Sequence, residues 1–351
     1  VVDPIHPETL FVAGGPDFGV PNSRTTSDDN DDAYGIWKST DDGNIWKKVG
    51  GATFGIGSGP ISAISFQPGN DRVMYAAGKT GIYFSPDRGE NWTGISGRLP
   101  PIPMPAVATD GQTLYAGTAG AGVFPGDIHP LIYTADWASE SKLTAPIDHI
   151  QILLHPDDPN TLYASTYPAG IFRTSDGGTT WSTHNQGLPS FAVADPLRQG
   201  HYALAIAPSA PDVLYLGLFG QGVYRSDDGA ATWRPVFGQD GELQGAAVET
   251  LLIHPDDSDI VYVASEEGVW RTVNGGRTWS EFGTGLPPGG DIRTLVLGAD
   301  EQLYAGSRGS GLYTRGAFHQ AEEDGWRQLP EMGNWAKSSN SWGNRPVYQQ
   351  T

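Results

Sequence analysis

The sequence predicts an all-β fold, a seven-bladed β-propeller built from four-stranded antiparallel blades. Three recurrences predict it. An aliphatic-aromatic-small motif occurs seven times, at Leu10-Phe11-Val12, Met74-Tyr75-Ala76, Leu114-Tyr115-Ala116, Leu162-Tyr163-Ala164, Leu214-Tyr215-Leu216, Val261-Tyr262-Val263 and Leu303-Tyr304-Ala305. A Gly-aliphatic-aromatic motif follows each copy, from Gly35-Ile36-Trp37 to Gly311-Leu312-Tyr313. A tryptophan closes each unit: Trp46, Trp92, Trp137, Trp181, Trp233, Trp279 and Trp326. A fixed period of this kind marks a repeat architecture, because one small sheet cannot bury both of its faces alone.

Each unit reads as four short strands separated by Gly, Pro, Asn and Asp. Unit four is the clearest, with strands at 150–154, 161–165 and 170–174 and a tight turn into Trp181. The units span about 1–50, 61–100, 104–146, 147–189, 201–240, 248–288 and 292–330, and 331–351 form a C-terminal extension. Unit one offers only Val1 to Asp3 for its inner strand. The extension carries Trp335, Trp342 and Tyr348. It helps to close the ring, docks on a partner through its aromatics, or is plainly disordered.

Composition narrows the function classes. With 48 Gly, 27 Pro and 11% aromatic residues, the chain is turn-rich yet too apolar for disorder. A net charge of −19 argues against tracking phosphates or an anionic lipid surface, so no nucleic-acid partner is expected. There is no cysteine, hence no disulfide, thiolate metal site or cysteine nucleophile. No apolar run is long enough to span a membrane. The start at Val1, with no Met, fits a processed export precursor and equally a truncated sequence; the expectation is an exported protein of the periplasm or the extracellular space.

The turn before the tryptophan has the pattern [S/T]-x-[D/N]-x-G-x-x-W. Its key residues are Asp41, Gly43 and Trp46; Asp87, Gly89 and Trp92; Asp176, Gly178 and Trp181; Asp228 and Trp233, with Ala230 replacing Gly; and Asn274, Gly276 and Trp279. The side-chain carboxylate or amide is expected to accept N–H groups two residues on, with Gly taking positive φ and the indole closing the hairpin. This pattern resembles the Asp-box, or BNR repeat, over residues 1 to about 330. The resemblance implies sialidases, xyloglucan-active glycoside hydrolases, sortilin-type receptors and the photosystem assembly factor Ycf48 as relatives. It further implies that the boxes are structural and lie opposite the ligand face. Units three and seven keep Trp137 and Trp326 but lose the box.

The opposite face collects the loops between second and third strands and those between blades. Tyr167, Phe219, Gln221, Glu266 and Arg308 lie on the former. Phe191 and Arg198 lie on a long connection between blades. With Trp335 and Trp342 they form the candidate partner or ligand surface. Aromatic rings beside polar groups suit either a sugar or a protein partner. In the acidic loop of unit one, Asp28, Asn30 and Asp32 match the first three positions of an EF-hand. Ala33 and Ser39 stand where such a loop needs Gly and Glu, so at most a weak calcium site is expected there. No other metal and no cofactor is expected.

No catalytic residue is assigned. There is no serine elbow, and the arginine cluster that the sialidase resemblance requires is missing. The segment Leu154-His155-Pro156-Asp157-Asp158-Pro159-Asn160 looks like the blades of xyloglucan-active enzymes. An inverting glycosidase also needs two carboxyl groups roughly 6.5–9.5 Å apart. Asp148, Asp195, Glu249 and Asp291 stand near inner-strand starts, but acid and base cannot be told apart. The leading expectation is therefore a non-catalytic exported scaffold with a protein partner. The alternative is a glycoside hydrolase or polysaccharide-binding propeller.

Overall fold

The computed structural model describes residues 1–14, 35–50, 59–129, 134–138, 147–189, 202–287, 292–298, 301–307, 311–316 and 325–329, with Ile56, Ser141 and Leu143. These residues form seven antiparallel sheets whose strands follow chain order from inside to outside. Six are four-stranded. Their inner strands are Ile61–Gln67, Ala106–Thr109, Ile147–Leu154, Tyr202–Ile206, Val248–Ile253 and Ile292–Leu297. The sheet of blade one has three named strands, Leu10–Gly14, Gly35–Ser39 and Lys47–Gly50. Its inner place holds a stub, a single bridge from Val2 to Leu10.

The repeated motifs become the packing between blades. Tyr75, Tyr115, Tyr163, Tyr215 and Tyr262, one per blade on the second strand, are each at most 2% exposed. Each joins a cluster between two neighbouring blades. Blade four has strands Leu162–Pro168, Gly170–Thr174 and Ser182–Thr183 outside its inner strand. That inner strand starts three residues earlier than the apolar pattern suggests. A bulge between Ile147 and His149 breaks the alternation, so the two-residue period emerges only at Ile150.

The five box turns share one hydrogen-bond pattern, and it corrects the expected one. The hydroxyl, not the carboxylate, accepts the nearest N–H groups. Ser39 Oγ takes the N–H of Asp41 at 3.4 Å and of Gly43 at 2.9 Å, and donates its own proton to Asp41 Oδ1 at 2.7 Å. Asp41 Oδ1 then accepts the N–H of Ile45, four residues on, at 2.8 Å. The reason is position. Ser39 is buried at the strand end, inside the turn, whereas the Asp side chain reaches outward across it. Thr272, Asn274, Gly276 and Thr278 reproduce the pattern with an amide oxygen. Ala230 holds φ of 68° where the other boxes have Gly.

The tryptophans also do more than close hairpins. Trp92 Nε1 donates to Val49 O of the preceding blade at 3.1 Å, and to Gly89 O in its own turn. Trp137, Trp233, Trp279 and Trp326 donate to Ile95, His184, Val236 and Phe282 at 2.7–2.9 Å, each on the preceding blade. Trp137 and Trp326 thus keep this link although their hairpins lack the box. Trp46 and Trp181 donate to Gly43 and Gly178 of their own turns.

A pH response follows from the boxes. The hydroxyl and N–H of Thr180 and the hydroxyl of Thr174 hold Asp176 down at about 2, and the N–H of Ile45 leads in lowering Asp41. A depressed folded pKa gives stability that is present above the unfolded value of about 3.9. That stability is lost as pH falls through the folded value. The melting temperature should therefore drop between about pH 4 and pH 2, and the drop should be shallower in Asp176→Asn. Calorimetry across that range checks it.

Candidate functional site at the channel mouth

Inner strands begin, and second strands end, on one face of the ring. The register shows this in blade two (Ile61 opposite Gly78), blade five (Tyr202 opposite Leu218) and blade six (Val248 opposite Ser265). The box turns, between third and outer strands, lie on the other face. The mouth face therefore carries the candidate loops.

Four inner strands enter this face through a bulge. The register slips between Ile61 and Ala63, Ile147 and His149, Val248 and Thr250, and Ile292 and Thr294. The skipped residues are Ser62, Asp148, Glu249 and Arg293. A bulge frees one residue from the ladder and re-aims it. In blades six and seven the freed residues meet. Arg293 Nη1 donates to Glu249 Oε2 at 2.5 Å, with the carboxylate 5% and the guanidinium 23% exposed. The pair joins two inner strands where they enter the ring. Arg293 escaped the sequence reading. The visible signal was a charged residue second in an otherwise apolar inner strand, as in Ile292-Arg293-Thr294-Leu295.

Among the expected surface residues, Tyr167 lies at the end of the second strand of blade four. Its ring meets Tyr202 of blade five edge-on, with centroids 5.6 Å apart. Burial, and then the neighbouring Tyr167, push the Tyr202 phenol well above its ordinary value. Tyr202 is a second residue that sequence reasoning missed. Phe219 is half-buried and Gln221 exposed in the turn of blade five that leads into Gly222–Ser226, and Glu266 is exposed in the corresponding turn of blade six. Three successive blades thus present Tyr167, Tyr202, Phe219, Gln221 and Glu266 on the mouth face. Phe191, Arg198, Arg308, Trp335 and Trp342 lie outside the described residues, as do Asp195, Asp291 and the calcium candidates Asp28, Asn30 and Asp32.

Among the described residues no group of three or more His, Asp or Glu is placed to hold a metal ion. No helix among them is long and apolar enough to cross a membrane.

No protein-family model matches the chain. It is 26% identical over 264 residues to a xyloglucanase of Hypocrea jecorina, covering 74% of this chain and 25% of that protein. It is 27% identical over 160 residues to a probable oligoxyloglucan-reducing end-specific xyloglucanase of Neosartorya fischeri, covering 43% of this chain and 19% of that one. The chain thus spans a quarter or less of the length of these relatives. Among solved structures, YCF48 from Cyanidioschyzon merolae superposes with a TM-score of 0.57 at 14% identity, covering 78% of this chain and 86% of that one. That likeness is one of fold. This chain is a seven-bladed β-propeller whose sequence relatives include xyloglucanases and whose fold is shared with YCF48.

Proposed function

We propose that this propeller binds a β-glucan of the xyloglucan class across its mouth face. The observation that carries the reading is the xyloglucanase likeness over about three-quarters of the chain. Tyr167, Tyr202 and Phe219 supply rings for stacking on sugar faces. Gln221 and Glu266 supply hydrogen bonds to hydroxyl groups. The reading favours binding over cleavage. Glu249, the one described member of the expected carboxylates with a described side chain, is committed to Arg293. Hydrolysis needs a second carboxyl across the sugar and a mobile proton. The scaffold expectation ranks behind, since a relative matched over about three-quarters of the chain is a xyloglucanase. An exported protein is where such a polysaccharide would be met.

Affinity electrophoresis in gels containing xyloglucan, carboxymethylcellulose or mannan tests the proposal, with release of reducing ends measured in parallel. Selective retardation by xyloglucan is expected, without release of reducing ends. Tyr167→Ala and Phe219→Ala should each weaken binding by about tenfold, which corresponds to about 1.4 kcal/mol. Equal mobility in all gels would overturn the reading, and reducing-end release would replace binding with cleavage.

A further inference from the structure

The box of blade six holds a chemically labile pair. Asn274 stands where the other four boxes have aspartate, and Gly275 follows it. No other asparagine of the chain precedes a glycine. An Asn-Gly pair is open to a cyclisation that needs no enzyme. The Gly275 nitrogen attacks Cγ of Asn274 and gives up its proton. The Cγ–Nδ2 bond breaks, ammonia leaves, and a five-membered imide remains. Water then opens the ring at either carbonyl, giving aspartate or its β-linked isomer. Glycine favours the attack because it has no Cβ to shield its nitrogen.

The folded turn holds each reacting atom. The attacking nitrogen, the Gly275 N–H, donates to Asp259 O at 3.0 Å. The leaving group, Asn274 Nδ2, donates to Thr278 Oγ1 at 2.9 Å. Asn274 Oδ1 accepts the Thr272 hydroxyl at 2.9 Å and the Thr278 N–H at 3.0 Å, which fixes the plane of the amide. Gly275 is buried, and its φ of 70° and the nearby Arg225 guanidinium favour glycine there. The tie on the backbone nitrogen recurs in every box. Asp42, Arg88, Gly177 and Gly229 donate their N–H groups to Glu8, Arg72, Asn160 and Asp212 at 2.8–3.0 Å.

The aspartate product suits the same turn. At Asp176 and Asp228 the second carboxylate oxygen accepts the hydroxyl of Thr180 and of Thr232 at 2.6 Å. Thr278 stands at the equivalent place in blade six. Rotating its hydroxyl replaces the amide contact with that shorter, charge-assisted bond. The β-linked isomer instead adds a carbon to the backbone and carries the Gly275 N–H away from Asp259 O. We propose that Asn274 is a self-converting modification site gated by its own turn. It is closed while the box holds and open when the turn opens, and aspartate is the product that the fold accepts. Local opening suffices, since a surface turn opens at less cost than the whole domain.

Peptide mass spectrometry tests this on the full chain, aged in mildly alkaline buffer with and without denaturing urea. The unfolded chain should deamidate Asn274 at least tenfold faster than the folded one. Thr278→Val releases the leaving group and should speed conversion in the folded chain by roughly threefold or more. Asn274→Asp, the product made directly, should raise the melting temperature at neutral pH by about 1–3 °C. Equal rates with and without urea, or an unchanged rate in folded Thr278→Val, would overturn the gate. An unconverted Asn274 in urea would overturn the site itself. A lower melting temperature for Asn274→Asp would overturn aspartate as the accepted product. Should Thr278→Val fail to fold, the two rates of the unaltered chain decide alone.

Discussion

Trp279→Ala should destabilise the propeller by roughly 3–5 kcal/mol, the usual cost of emptying a large aromatic site in a core. Trp279 is 5% exposed and belongs to the cluster between blades five and six. Its indole N–H reaches Val236 O on the preceding blade at 2.8 Å. The substitution therefore removes ring packing and a buried bond between blades together. Trp279→Phe separates the two effects. It keeps most of the ring and loses the N–H, which should cost about 1–3 kcal/mol. Trp181 is the internal control, because it is less buried and its N–H stays within its own turn at Gly178. Trp181→Ala should cost clearly less than Trp279→Ala. Denaturant unfolding followed by fluorescence measures all three. Equal costs for the two alanine variants would show that the link between blades adds nothing.

Glu249→Ala should cost about 2–4 kcal/mol, because it removes the carboxylate that the largely buried Arg293 guanidinium bonds. The figure lies a little below that for a fully buried pair because Arg293 retains 23% exposure. Removing both charges is a different matter. Desolvation offsets much of the attraction in a buried pair, so Glu249→Leu combined with Arg293→Met should lie close to the unaltered protein. A double-mutant cycle should thus show strong coupling. Additive losses would mean that the two side chains act separately, and Glu249 would then be open to another role at the mouth.

The sequence revealed the repeat because the same burial problem is solved seven times. A tyrosine that fills the space between blades recurs wherever a second strand meets its neighbour, so Tyr75 and Tyr262 are legible as one position. The boxes were legible too, since Ser39, Asp41 and Gly43 form a turn from local bonds alone. The division of labour inside that turn was not legible, because hydroxyl and carboxylate could each accept either N–H. Links between blades were hidden for a different reason. Trp92 and Val49 are 43 residues apart, and only the stacking of blades brings them together. The bulges hid Arg293, because a slip of one residue removes it from the two-residue alternation by which strands are read. On the candidate surface, Tyr167 was found from its loop, while Tyr202 was passed over because it opens an apolar inner strand.

The most direct test of the glucan-binding account is a hydrogen-exchange footprint of the protein with and without xyloglucan oligosaccharide. The account predicts slowed exchange in the turns around Tyr167, Phe219 and Glu266 on the mouth face, with the box turns at Asp41, Asp87 and Asp176 unchanged. Protection confined to the box face, or none at saturating oligosaccharide, would contradict it.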